Sequence, residues 1–340
     1  MYLVSVIVPV YNAENFLDNT INSVINQTLG FENIELILVD DNSSDGSKDV
    51  IKKYSNQFEN VIYYFSENNH GFPGFGRNMG LKLASADYVM FLDNDDEYDQ
   101  DMCKMLYETM INENVDLVSC GRLLVDFLGD VKDNYNCVGG RRVNNSLIYE
   151  NDEVLSFSSI TVWNKIFKKS IIDDFNLKFI ENTSADDFIF SVEYHSKSKR
   201  IIHLLDYYGY LWNIRDESLS HDIKIEHIEE VITAYKYLVN KLKEGSNIES
   251  SIVILRYMII LLLMKCSYVH VDYNRFKYIL NEIYYFEKSI GMDFNLQNKF
   301  LDIPNNLILK QHFGLAILYF RLFDTIRNNT FLRKINRLRK

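Results

Sequence analysis

The chain has 340 residues, 47% hydrophobic and 24% charged, the composition of an ordinary globular protein with one large domain and a smaller one, which excludes disordered, collagen-like and low-complexity classes. Its 36 basic and 47 acidic residues give a net charge of −11, and residues 1–110 hold 18 of the acids but only 6 of the bases. An acidic face repels a phosphate backbone, so nucleic acid is not expected as a partner.

In chain order, Val4–Val10 is a short apolar run without a basic region before it, which reads as a buried strand and not as a secretory signal. Helical periodicity over Asn15–Gln27 follows. Strand and helix then alternate: Ile34–Val39 with Ser47–Phe58, Val61–Phe65 with Arg77–Ala84, Tyr88–Leu92 with Asp101–Ile111, and a last strand at Asp116–Cys120. Such alternation predicts an α/β fold, a mostly parallel Rossmann-like sheet with helices on both faces. Residues 121–215 are less periodic and are expected to complete the sheet and carry a second substrate. From about His221 the chain turns helical, near Glu226–Leu242, Ile252–Cys266, Arg275–Phe286 and Gly314–Asn328, so the predicted division is a domain over 1–220 and a helical one over 221–340. Ile252–Met264 is apolar but carries Arg256 and falls short of the roughly 20 residues a spanning helix needs. It is expected to be a core helix, although Tyr257–Leu263 is also a candidate oligomer interface. The last twenty residues interleave seven basic residues with Phe331, Leu332, Ile335 and Leu338. Two readings stay open there: a tail on an anionic membrane surface or partner, and a solvated helix end. Cys103, Cys120, Cys137 and Cys266 are spaced for neither a disulfide framework nor a zinc site, which predicts a reducing, cytoplasmic location.

Parallel sheets bind ligands outside the carboxyl ends of their strands, and polar residues gather after each of these. Asp93-Asn-Asp95 follows the strand Tyr88–Leu92. Two carboxylates two residues apart suit Mg²⁺ or Mn²⁺, which such sites hold with one or two carboxylates and the phosphates of a substrate. Taken alone, an acidic run after a strand is more often a solvated turn or a helix cap. Asp40-Asp-Asn-Ser-Ser-Asp-Gly46 ends the second strand; Asp45 there suits a cap, whereas Asp40 suits hydrogen bonds from a nucleobase or ribose. Gly71-Phe-Pro-Gly74-Phe-Gly76 runs opposite to the dinucleotide fingerprint and follows the wrong strand, so it is expected to be a flexible loop positioning Arg77 and Asn78. Ser184-Ala-Asp-Asp-Phe188 has a helix-capping alternative, with Ser184 and Asp187 as a capping box.

Val4-Ser-Val-Ile-Val-Pro-Val-Tyr-Asn12, Val39–Gly46, Gly76-Arg-Asn-Met-Gly80, Phe91–Asp96, Trp163-Asn-Lys-Ile-Phe167 and Ala185-Asp-Asp-Phe188, in this order, resemble the motifs of glycosyltransferase family 2, enzymes of the GT-A fold that build bacterial and archaeal cell-surface polysaccharides. The likeness spans about residues 3–220, and the loop Asn68–Asn78 is similar to that of wall teichoic acid glycosyltransferases. The resemblance implies an inverting, metal-dependent transfer of a sugar from a nucleotide-sugar donor, usually a UDP-sugar, to a glycan, polyol-phosphate or lipid-linked acceptor. It implies that Pro9, Tyr11 and Asp40 hold the base, Asp93 the ribose and metal, and Asp95 the metal. Arg77 and Asn78 correspond to a donor-pocket pair, Trp163 and Lys165 to acceptor-side or sugar-side residues, and Asp187 to the catalytic base. Most relatives have Glu-Asp where this chain has Asp186-Asp187, with Asp186 near the donor sugar or acceptor. Arg215 matches a segment closing over the diphosphate, and His221 is a metal or phosphate contact or an ordinary surface histidine.

Two rivals share parts of this pattern. A sugar-1-phosphate nucleotidyltransferase requires a Gly-rich, Arg-containing loop after the first strand, where Pro9-Val-Tyr-Asn12 stands. A catalytically inactive saccharide-binding or scaffold module requires no acids, yet Asp40, Asp93, Asp95 and Asp187 are all present.

Overall fold

The computed structural model describes residues 1–126, 130–136, 141–151, 160–214, 225–245, 252–267, 272–291 and 299–328. The chain forms two compact units, Met1–Glu217 and Ser218–Lys340.

The first unit opens with β1 (Val4–Val10), α1 (Leu17–Ile25), β2 (Ile34–Asp40), α2 (Ser47–Ser55), β3 (Val61–Phe65), α3 (Gly74–Leu83) and β4 (Tyr88–Phe91). It continues with β5 (Glu97–Tyr98), α4 (Met102–Glu113), β6 (Leu117–Val125), β7 (Val131–Tyr135), β8 (Arg141–Val143) and β9 (Ser146–Glu150). The last elements are β10 (Lys165–Lys168), α5 (Lys169–Asp174), α6 (Asp186–Lys197) and β11 (Arg200–Asn213). One sheet runs in the order β3-β2-β1-β4-β10-β6-β11-β9-β8. β3, β2, β1 and β4 are parallel neighbours, as the alternating pattern predicts. Beyond them β10 lies antiparallel between β4 and β6, so the fifth predicted strand is not the direct neighbour of the fourth.

All seven residues of β1 and of β2 are buried, the behaviour of strands covered on both faces. Their period-two alternation sends Val4, Val6, Val8, Leu36 and Leu38 into one core with α1, α2 and α4, and Ile7, Ile37 and Val39 into the other with α3, α5 and α6. A Cβ on Gly76 would lie 2.8 Å from the Pro9 Cβ, and one on Gly80 would collide with Ile7. Gly74, expected in a flexible loop with Gly76, instead begins α3, where a Cβ would lie 2.6 Å from the Ile180 carbonyl oxygen. Gly76 and Gly80 thus bring α3 close to β1, and Gly74 brings its start against the segment at Ile180.

The second unit consists of α7 (Ile225–Gly245), α8 (Ile252–Cys266), α9 (Tyr273–Ile290), α10 (Lys299–Leu309) and α11 (Phe313–Asn328). Of these, α10 escaped the sequence reading, because Pro304 interrupts its pattern. Leu255, Met258, Ile259, Leu262 and Leu263 of α8 are buried, as expected of a core helix. Among the described residues no helix is long and apolar enough to cross a membrane. Cys103, Cys120 and Cys266 are buried; Cys137 lies outside the described residues.

Candidate active site

The carboxyl ends of β2, β1 and β4 lie side by side, and the chain direction across the sheet reverses between β1 and β4, where doubly wound folds place their ligands. Four sequence-distant groups meet there. The Arg77 guanidinium, carried by α3, donates from Nη1 to Asp186 Oδ2 at 2.6 Å and from Nη2 to Asp93 Oδ1 at 2.8 Å. Burial would favour loss of its proton, but the charges of Asp186 and then Asp93 outweigh this and hold it protonated. Asp186 and Asp187 form the first turn of α6, whose N-cap is Ala185 with no side-chain cap bond, so the capping-box alternative for Ser184 fails. Desolvation and then the adjacent Asp186 charge push the Asp187 carboxyl up to about 7, against the pull of Arg77 and the Phe188 N–H that donates to Asp187 Oδ1 at 2.7 Å. Arg77, Asp93, Asp186 and Asp187 therefore form one electrostatic cluster.

The turn after β4 is locked from β11. Tyr210 donates its hydroxyl to Asp96 Oδ2 at 2.6 Å, the Asn213 N–H donates to Asp96 Oδ1 at 2.9 Å, and the Asn213 amide donates to the Asp95 carbonyl at 2.9 Å. Burial, then repulsion from Asp93, lifts the Asp96 carboxyl well above the usual range, so Asp96 anchors the turn while Asp93 and Asp95 stay partly open to solvent. Two hard oxygen donors with accessible faces fit Mg²⁺ or Mn²⁺ completed by substrate phosphates. Among the described residues no group of three or more His, Cys, Asp or Glu side chains is arranged to hold a metal by itself.

At the end of β2, Asp40 is fully buried; its Oδ2 accepts from the Ser43 N–H at 3.0 Å, whereas Oδ1 has no hydrogen-bond partner. A buried acceptor without a donor costs free energy, so this oxygen suits a ligand N–H or O–H. Pro9 is buried beside it in β1, and Tyr11 is 49% exposed just beyond, with Asn12 in the left-handed region at φ 46°. Asn12 and Ser43 join the two loops, since the Asn12 N–H donates to Ser43 Oγ at 2.9 Å and Asn12 Oδ1 accepts from the Ser44 N–H at 2.9 Å. Asp45 accepts from the Ser47 N–H at 3.0 Å, but the N-cap of α2 is Gly46 with no side-chain cap bond, so Asp45 braces the loop before the helix and is not the cap expected of it.

Other predicted residues stand elsewhere. The Asn78 amide donates to the Phe179 carbonyl at 2.9 Å and to Glu181 Oε1 at 3.0 Å, and Asn78 Oδ1 accepts from the Phe179 N–H at 2.8 Å. Asn78 thus holds the segment leading to α6. Trp163 is buried and stacked on Tyr210 at 4.2 Å. Lys165, expected on the sugar or acceptor side, is wholly enclosed; its ammonium donates to the Thr161 carbonyl and to Asn164 Oδ1. Arg215 and His221 lie outside the described residues.

The sequence reading missed a clamp beside Asp40. Asp41 accepts from the His70 N–H at 2.8 Å and the Gly71 N–H at 3.3 Å, its Oδ1 lies 2.6 Å from His70 Nδ1, and the His70 ring stacks on Phe75 at 3.6 Å. Asn68-Asn-His-Gly71 was visible only as a polar run; no local pattern links it to Asp41. Arg122 also went unmarked, though its guanidinium lies over Trp212 at 4.4 Å, Tyr135 at 5.2 Å and Trp163 at 5.3 Å.

This strand order, with acids at the reversal point, defines a GT-A type α/β domain. Residues 5–171 match the model described as glycosyl transferase family 2, and the chain belongs to that family. It is 32% identical over 231 residues to glycosyltransferase GlyA of Streptococcus pneumoniae, covering 64% of this chain and 31% of GlyA. It is 34% identical over 229 residues to the poly(ribitol-phosphate) beta-N-acetylglucosaminyltransferase TarP of Staphylococcus aureus, covering 65% of this chain and 66% of TarP. The crystal structure of S. aureus TarS 1–349 in complex with UDP superposes with a TM-score of 0.69 at 18% identity, over 95% of this chain and 91% of that one, and so shares the fold.

Proposed function

We propose that the protein transfers a sugar from a UDP-sugar to a hydroxyl of a polyol-phosphate or related cell-surface polymer, with inversion, at the cytoplasmic face of the cell. The observation that carries this reading is the Arg77 bridge, which unites the acids after β4 with those opening α6 in a single site. Family membership, the UDP bound by TarS and the polymer named for TarP support the donor and acceptor classes.

Asp40 Oδ1 receives a donor group of the base or ribose, and Tyr11 offers an exposed ring beside it. Asp95, with Asp93, would hold Mn²⁺ or Mg²⁺, which when bound supplies Lewis-acid stabilisation of the leaving diphosphate. Asp187 takes the proton of the acceptor hydroxyl as its oxygen attacks the anomeric carbon; a carboxyl titrating near 7 is suited to that task. Burial raises the Asp186 carboxyl and the Arg77 charge opposes this, while the two ion pairs of Arg77 tie Asp186 to Asp93 and so α6 to the turn after β4.

The test is a thermal-shift series with UDP, UDP-sugars and other nucleotides, with and without Mn²⁺. A ligand bound only by the folded state raises the melting temperature, so UDP-sugars with Mn²⁺ should give the largest rise and Asp95→Ala should abolish the Mn²⁺-dependent part. No rise with any uridine nucleotide overturns the proposal.

A further inference from the structure

Among the described residues of the second unit, one set of apolar side chains stands exposed. In α11, Phe313, Ala316, Ile317 and Phe320 are buried against the unit. Leu315, Leu318 and Leu322, spaced i, i+3 and i+7 on the opposite side, are 57%, 53% and 55% exposed. The neighbouring α10 adds Phe300 and Ile303, 67% and 52% exposed. The two helices are joined along this edge, since Tyr319 donates its hydroxyl to the Phe300 carbonyl at 2.7 Å and the Phe300 and Phe323 rings lie 6.4 Å apart. The two helices thus each present exposed apolar side chains, and a helix that is apolar on both sides requires cover on both.

Charge selects the cover. Residues 310–340 contain eight basic residues and one acidic, +7 in a chain whose total is −11. Lys310 and Arg321 are exposed on the same hairpin, and Arg327, Arg333, Lys334, Arg337, Arg339 and Lys340 follow with Phe331, Leu332, Ile335 and Leu338 among them. A second copy meeting this face would set like charges together. An anionic lipid surface offers both complements, acyl chains for the leucines and headgroups for the bases. We infer that the outer face of α10–α11, with the basic segment after it, docks on the surface of an anionic bilayer without crossing it. Several leucines plus a polybasic segment supply the two signals that stable peripheral binding needs.

Co-sedimentation of the full chain with vesicles tests this. Binding is expected to vesicles of phosphatidylcholine with phosphatidylglycerol, to weaken at high salt, and to be slight with phosphatidylcholine alone. Replacing Leu315, Leu318 and Leu322 by Ser should lower partitioning at least about tenfold, with circular dichroism and melting unchanged because these side chains are exposed. Arg333→Glu with Arg337→Glu should lower it comparably. Absence of binding to the anionic vesicles, unchanged binding of the serine variant, or a dimer in light scattering that the serine variant dissociates would each overturn the inference, the last by naming a second copy as the occupant.

Discussion

Asp186 and Asp187 are neighbours in sequence but sit in different electrostatic surroundings. Asp186 has the guanidinium of Arg77 at 2.6 Å, while Asp187 feels the negative charge of Asp186 at close range and stays harder to ionise. On the proposed mechanism Asp187 works only when ionised, so kcat/KM should rise with pH through about 7. Asp187→Asn should cost about 10²–10⁴-fold in transfer, remove that rise, and leave the UDP-sugar melting shift intact. Near-normal transfer by this variant would falsify the base assignment. Arg77 makes a separate prediction about stability. Arg77→Met leaves Asp186 buried and uncompensated, which costs on the order of 3–5 kcal/mol for a buried pair in urea unfolding. Adding Asp186→Asn to Arg77→Met should recover much of that loss, because the stranded charge is then gone.

At the level of elements, the site depends on how closely helices approach the sheet. Gly80 lets α3 rest on Ile7 of β1, which places Arg77, one turn earlier, at the strand ends. Gly80→Ala should destabilise by about 1–3 kcal/mol through overpacking. The pairing is checked by a double-mutant cycle with Ile7→Ala: the combined loss should be smaller than the two single losses added. Independence of the two substitutions would show that α3 settles without this contact. The same closeness explains why glycines spaced like a phosphate loop proved to be helix residues. Spacing reports that small residues recur, and only the packed structure tells whether a ligand or a strand occupies the space they leave.

Across the whole molecule the two units should answer differently to pH. In the helical unit Glu287 of α9 is 1% exposed, and burial, opposed by the Asn305 amide, pushes its carboxyl from 4.5 up to about 8. The folded state therefore favours the protonated form: its contribution is fully present below about pH 4.5 and is lost as pH rises towards 8. Glu287→Gln should match the parent at pH 4.5 and exceed it at pH 8.5 by on the order of a few kcal/mol, measured by denaturant unfolding followed through helical circular dichroism. Equal stability at both pH values would mean that the carboxyl reaches solvent.

The parallel core β3-β2-β1-β4 was readable from the chain alone, because continuous β-branched runs alternating with helical periodicity have few other ways to bury their apolar surface. The helices of the second unit were readable for the same reason, except where Pro304 breaks the pattern of α10. The positions of Asp40 and Asp93 at strand ends followed directly, since chain order places them there. What only the tertiary structure decided are relations across long separations: Arg77 between Asp93 and Asp186, which are 16 and 109 residues away, Asp41 with His70, and β10 inserted against β4. The enclosure of Lys165 belongs with them. Periodicity is a local property, recorded within a few residues, whereas an ion pair or a strand neighbour is chosen by the global packing that brings distant segments together.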